Sequence, residues 1–571
     1  MKLSRRDYEF NNPSICHVMP KHIELNRLLI NLYMLLKYNG RKPVQKLGRN
    51  TITVKYVVDQ LVQQHADKLT GFREHQDIVQ DWIYSDLLDI VFRGTPDKEV
   101  VAAPMPLHIN AYKLRNRKQS DDYGGSEHVY SMIRAADPGL VDELAAYLGG
   151  GMDNTGEYYD NHTPLDLDTL MVVRMVEGPH LKDGPSGKGS VPEPPLCICQ
   201  ARLMCDDLRR LLAYKDVVPR SVLIGYLRTA FGMHTALHLL KLFHQLPGWV
   251  RDAQAHPACL NCQVDPRSDR PFAACPYADQ NPDSETNQPL PEIIVDMGED
   301  YTSHMAKLAR ENCALHYGQM NDYIQAVFTV NQLFQYAASS TGRRSIARQP
   351  ETVGDVLHLL SNPPPSMDYY FSERIDAILP LEEMSDERDE VRAVFEMDEL
   401  SPLQKFVELV SLERTRFYRR YLVELVDQVL MKNRDTCLLR QGKGKRNERR
   451  WHLGSRLLEM LVQIAVLEPI ESSPVVAGAS RGYGFLSGQA KQERTALHSR
   501  PILIDEFITW MKERYGLVLM PDWQHATIQD YQAFNGNLRN LKDKLREIGF
   551  YTDLSDAYNT QTIRPRYNIN S

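Results

Sequence analysis

The stretch from Val222 to Val250 is the longest apolar, helix-like run in the chain, and Arg228, His234, His238, Lys241 and His244 interrupt it. Charged and ionisable groups inside such a run would be costly in lipid, so it does not predict a membrane span. It predicts a helix of a soluble helical body. Helical spacing recurs elsewhere, at Leu25, Leu28, Leu29, Leu32, Leu35 and Leu36 after Pro20, and at Ile83, Leu87, Leu88 and Val91 beside Trp82. Further helices are expected over Leu140–Leu148, closed by three glycines, over Asp206–Leu246, Ser303–Ala338 and Trp451–Leu467.

With 571 residues, the chain exceeds what one hydrophobic core organises, which predicts three or four folded domains. Five stretches follow from the composition. Residues 1–150 are a helical domain, and 151–200 a strand plus a Gly/Pro-rich linker. Residues 201–350 are a helical domain with a cysteine-rich insertion at 256–275, and 351–450 a helical domain with acidic then basic segments. Residues 451–571 form a C-terminal winged-helix-like domain. The strand is Leu170–Val176 (LMVVRMV), rich in β-branched residues, and the linker is Glu177–Pro195, with five Pro and four Gly. A Ser/Gly-rich stretch runs to Ser499. The fold class expected is mainly α, multidomain, with minor β.

The strongest chemical signal is His256-x2-Cys259-x2-Cys262-x12-Cys275, because Cys-x2-Cys lets two thiolates in one turn chelate one ion. Nine cysteines, six of them between 197 and 275, are unevenly spaced and do not form a disulfide framework. His256, Cys259, Cys262 and Cys275 are the ligand set expected, with structural zinc as the ion. The fourth ligand stays open among His256, Cys205, Cys199, Cys197 and the pair Cys313 and His316. Cys275-Pro276 echoes the end of iron–sulfur runs, so such a cluster is the alternative.

Other motifs fail on spacing. Gly184-Pro-Ser-Gly-Lys-Gly-Ser190 resembles a phosphate-binding loop, but Gly189 stands where Ser or Thr must follow the lysine, and the prolines after it preclude the helix. His234 and His238 lie one helical turn apart as in zinc proteases, yet Thr235 occupies the place of the general-base glutamate. These histidines are expected on a packed helix face or beside the metal. No catalytic set is assembled, which points away from an enzyme.

Charge reverses along the chain. Glu382–Glu399 holds nine acids, and Arg440–Arg450 (RQGKGKRNERR) six bases, within a net charge of -7. Any nucleic-acid contact must then be local. Ile502–Tyr515 and Gln529–Ile548 read as helices, the second capped by Gly549. Phe550–Thr552 and Ile563–Tyr567 read as short strands around a turn, completing a winged-helix order. Arg539, Lys542, Lys544 and Arg546 on the last helix, with Arg564 and Arg566 on the wing, are the expected phosphate contacts, and the Arg440–Arg450 run is a second candidate.

The helical body, the cysteine-bearing insertion and the ending LRNLKDKLREIGFYTDLSDAYNTQTIRPRY together resemble accessory proteins of bacterial phage-defence islands, most of all components of the methylation-associated defence system. The resemblance implies a cytoplasmic subunit acting with methyltransferase, ATPase, kinase or nuclease partners, and it transfers no active-site residues. The reading is a non-catalytic scaffold or adaptor that contacts double-stranded DNA, partner proteins or both. A cryptic metal-dependent nuclease and a transcriptional regulator are the alternatives.

Overall fold

The long apolar run forms one helix, Arg220–Arg251, of 32 residues, about 48 Å from end to end. A helix this apolar on every side has to be wrapped by others, and this one is. In chain order the helices that matter are α1 (Leu25–Lys37), α2 (Gly125–Ala136), α3 (Leu167–Val176) and α4 (Ile198–Leu212). The long helix is α5, followed by α6 (His304–Gly318), α7 (Met320–Ala338), α8 (Pro365–Ile378) and α9 (Pro402–Met431). The last three are α10 (Ser455–Ala465), α11 (Ile504–Tyr515) and α12 (Ile528–Glu547). Helices α1, α4, α7, α9 and α10 all pack on α5. Gly232, midway along α5, permits this closeness. A Cβ there would come within 3.0 Å of Leu25 Cδ1 and 3.4 Å of the Val429 carbonyl oxygen.

The structure, a computed structural model, describes residues 1–45, 52–65, 69–91, 99–178, 183–185, 192–255, 259, 262, 292–379, 389–431, 438–441, 449–469, 497–520, 526–551 and 561–569. Over these residues the protein is mainly helical with minor β, as the sequence predicts. One contiguous apolar cluster runs from Phe10 to Ile563. No described helix is long and apolar enough to cross a membrane.

Strand pairs tie distant parts of the chain together. β1 (Ile293–Ile294) runs parallel to β5 (Leu517–Val518), β2 (Leu439–Gln441) antiparallel to β3 (Arg449–Trp451), and β4 (Ile502–Leu503) antiparallel to β6 (Thr562–Ile563). The N-terminal residues lie as a strap across α7, α8 and α9. Asn331 and Gln332 donate to the carbonyls of Glu9 and Asp7 at 2.6 and 2.8 Å, Tyr418 donates to that of Tyr8 at 2.8 Å, and Arg374 pairs with the Asp7 carboxylate.

One expected element is overturned. Leu170–Val176, read as a strand from its β-branched residues, is the body of helix α3. The Asp166 side chain caps it by accepting from Thr169 N at 3.1 Å, and burial of six residues between Met171 and Val176 decides against the local β preference. Arg174 explains how a cation fits there, since it pairs with Glu177 at 3.0 Å inside the protein. In the linker after it, Asp183–Pro185 pairs as a short strand with Pro43–Gln45.

Candidate functional site

Cys16, His128 and His238 come from three separate parts of the sequence and meet in the interior. Cys16 closes a turn that starts at Asn12, whose carbonyl accepts from Cys16 N at 2.9 Å and whose side chain anchors to Asn331 of α7 at 2.7 Å. His128 lies on α2 and His238 on α5. One ligand atom from each of the three lies within 4.8 Å of the others, so the group could hold a metal ion. His128 Nδ1 is 3.7 Å from Cys16 Sγ, and its Nε2 is 3.1 Å from His238 Nδ1.

All three side chains are buried. Burial pushes the Cys16 thiol up to about 12, takes His128 well below its ordinary value and His238 down to about 3. Without an ion the cluster is therefore a neutral chain in which thiol and rings share protons. That chain ends badly, because His238 Nε2 has no hydrogen-bond partner among the described residues. A buried polar atom left in this way is costly. One thiolate and two imidazoles suit a borderline-soft divalent ion such as zinc, with the Cys16 proton released as the sulfur–metal bond forms.

Gly124 sets the approach of the Cys16 segment to α2. It adopts φ +87° just before the helix, and a Cβ there would sit 2.0 Å from the His17 carbonyl oxygen. Gly124→Ala is expected to destabilise the protein by at least about 2 kcal/mol, from positive φ and the clash together. Thermal unfolding of the variant measures this, and an unchanged midpoint would refute it.

His234, one turn before His238, faces another way. It is 2.9 Å from Asp207 through Nε2 and 2.8 Å from Gln200 through Nδ1. Asp207 also accepts from Tyr515 Oη at 2.6 Å and from Arg514 at 2.5 Å, and Arg514 reaches Asp206 at 2.7 Å. Burial alone would raise the Asp207 carboxyl, but Arg514 and the bonds from His234 and Tyr515 hold it well below the carboxylate range. The pair of histidines flagged by spacing thus splits: His238 joins the thiol, and His234 locks α11 to α4 and α5.

Of the metal ligands expected from sequence, His256 and Cys275 lie outside the described residues. Cys262 is buried and packs with Cys199 and Cys197 in a small cluster apart from the main core, while Cys259 packs against that core. Cys205 sits within the main core on α4, and Cys313 on α6. Sequence reasoning gave no reason to single out Cys16 or His128, which sit 112 residues apart without a motif.

The basic residues separate into two groups. Three arginines of the Arg440–Arg450 run are engaged with carboxylates: Arg450 is fully buried against Asp296 at 2.5 Å, Arg449 pairs with Asp427 at 2.6 Å, and Arg440 pairs at the surface with Glu299 at 2.6 Å. The hairpin β2–β3 thus turns these cations towards carboxylates, and residues 442–448 lie outside the described part. On α12, by contrast, Arg539, Lys542 and Arg546 share one face at i, i+3 and i+7, opposite the buried Phe534, Leu541 and Leu545. Arg539 and Arg546 are exposed and Lys542 is half-buried; Arg546 also pairs with Asp543 at 2.6 Å. Lys544 lies off that face, paired with Glu547 at 3.0 Å, and Arg566 is paired with Glu459 at 2.5 Å. Arg564 is exposed, and its backbone N–H donates to the Phe550 carbonyl at 3.0 Å.

The described residues thus form a mainly helical protein that buries several clusters of ionisable groups and carries exposed basic residues on α12. The chain belongs to the family described as methylation-associated defense system protein MAD7, whose model matches residues 5–567. No curated protein matches it.

Proposed function

We propose that the chain is a non-catalytic scaffold or adaptor subunit of a methylation-associated defence complex, working in the cytoplasm with other defence proteins, and that α12 brings it to double-stranded DNA. The observation that carries the proposal is the stripe Arg539, Lys542 and Arg546 on the outer face of α12. The order α10, β4, α11, β5, α12, β6, with β4 paired to β6, is consistent with a winged-helix-like unit. In such a unit the last helix lies against the duplex and its basic residues neutralise phosphates. Arg564 would add a contact from the wing, while Arg546, Lys544 and Arg566 would each have to exchange a carboxylate, Asp543, Glu547 and Glu459 respectively, for a phosphate.

Ile528 and Tyr531 favour a second reading. They are 79 % and 58 % exposed and continue the same stripe towards the start of α12. An apolar end joined to a basic end suits a partner protein as well as a duplex.

Fluorescence anisotropy of labelled duplex DNA, titrated at several salt concentrations, separates the readings. Salt-sensitive binding is expected, and the Arg539→Ala, Lys542→Ala, Arg546→Ala triple variant should weaken it at least about tenfold and flatten the salt slope by up to about 3. Absence of binding at low salt would overturn the DNA contact and leave the protein-binding reading. Cleavage of the duplex in magnesium during the same titration would replace the adaptor by a nuclease.

A further inference from the structure

We propose that Cys16, His128 and His238 hold one zinc ion, and that this ion fastens the N-terminal strap to α2 and α5. The proposal rests on the thiol–imidazole cluster and not on how α12 is used. Two anchors flank Cys16 along the chain. On one side residues 7–10 dock on α7, α8 and α9, where Phe10 stacks on Tyr418 with ring centroids 4.6 Å apart. On the other, Met19 N donates to the Tyr123 carbonyl at 2.9 Å, just ahead of α2. Between them the buried Cys16 sulfur faces His128.

The three side chains cannot satisfy one another by hydrogen bonds alone. If the Cys16 thiol donates to His128 Nδ1, the His128 Nε2 proton goes to His238 Nδ1, and His238 Nε2 is left as a donor with no acceptor among the described residues. If the protons run the other way, His238 Nε2 becomes a bare acceptor and the thiol proton has no taker within the group. Thr235, three residues before His238 and so on the same side of α5, also keeps a buried hydroxyl with no partner among the described residues.

An ion removes the surplus, and the spacing suits zinc. Sulfur at about 2.3 Å and nitrogen at about 2.0–2.1 Å from one zinc lie about 3.6–3.8 Å apart at tetrahedral or trigonal angles. Cys16 Sγ is 3.7 Å from His128 Nδ1. One ligand atom of each residue lies within 4.8 Å of the others, so a closure of about 1 Å brings all three to the ion. When zinc binds, Cys16 gives its proton to solvent as the sulfur–zinc bond forms. The two neutral imidazoles donate lone pairs and lose no proton, and a fourth position is left for a water. Cys16 is the ligand that the strap supplies, while His128 and His238 belong to packed helices. Lifting the strap therefore costs the ion its thiolate, and removing the ion loosens the strap.

The test uses the full chain purified without chelators. Elemental analysis should find that Cys16→Ala and His238→Ala each lower the zinc content by one equivalent, whereas Cys205→Ser leaves it unchanged. X-ray absorption on the Cys259→Ser, Cys262→Ser protein, in which those two thiols add no sulfur, should show one sulfur at about 2.3 Å and nitrogen or oxygen at about 2.0–2.1 Å. Stripping zinc from the unaltered protein with dipicolinate should make the amides of residues 12–18 exchange with deuterium at least about tenfold faster. Because either alanine variant can lose zinc by misfolding, the spectrum and the exchange, both read with the three ligands intact, decide. Absence of zinc, a shell with more than one sulfur, zinc retained in both alanine variants, or exchange unchanged after zinc is removed would each overturn the proposal.

Discussion

Lowering the pH from 7 to about 5.5 is expected to unfold the protein. Six histidines are held neutral in the interior: burial takes His108, His238 and His316 down to about 3, His244 and His452 to about 4, and His128 well below its ordinary value. An unfolded chain protonates each near pH 6.5. Between that value and the folded one, the unfolded state binds more protons, so stability falls as pH falls and is fully present only above about 6.5. One unit below, each histidine costs about 1.4 kcal/mol, and six cost about 8 kcal/mol, comparable with the whole stability of a typical domain. Urea midpoints at pH 7.5, 6.5 and 6.0, read with near-ultraviolet circular dichroism, measure the slope. A flat profile down to pH 5.5 would mean that these rings accept protons in place.

Arg514→Met is expected to cost about 3–5 kcal/mol, because it leaves the Asp207 carboxylate buried without its cation. Asp207 is wholly buried, and His234 and Tyr515 alone would then have to satisfy it. Asp207→Asn combined with Arg514→Met should be less damaging than Arg514→Met alone, since the uncompensated charge goes with its partner. Urea denaturation of the two single variants and the double closes the cycle. Additive losses would show that the pair acts independently and would remove the network as the lock between α11 and the body.

Helix positions were readable because apolar residues recur at helical spacing, as in Leu25–Leu36, and because caps are local, as at Gly549. Leu170–Val176 misled for the opposite reason. Its β-branched residues favour a strand locally, but the Asp166 cap and burial on all sides outweigh that preference. The Arg440–Arg450 run offered itself as a second phosphate contact, since nothing in sequence announces that Glu299, Asp427 and Asp296 will meet Arg440, Arg449 and Arg450. For the candidate site, the polar residues inside an apolar run drew attention to His238, while its partners Cys16 and His128 could only be found in three dimensions. The Cys259-x2-Cys262 pair was legible from spacing, whereas the packing of Cys262 beside Cys197 and Cys199 depends on how α4 and α5 turn back on each other.

The N-terminal strap has a consequence for synthesis. Asp7 finds its cation at Arg374, 367 residues later, and Tyr8 its donor at Tyr418, 410 residues later. At about 5–20 residues per second, the ribosome takes roughly 20–80 s to deliver those partners. The strap therefore waits for its partners through most of translation, and a ribosome halted before α7 emerges releases a chain in which Asp7, Tyr8 and Glu9 have none of these anchors.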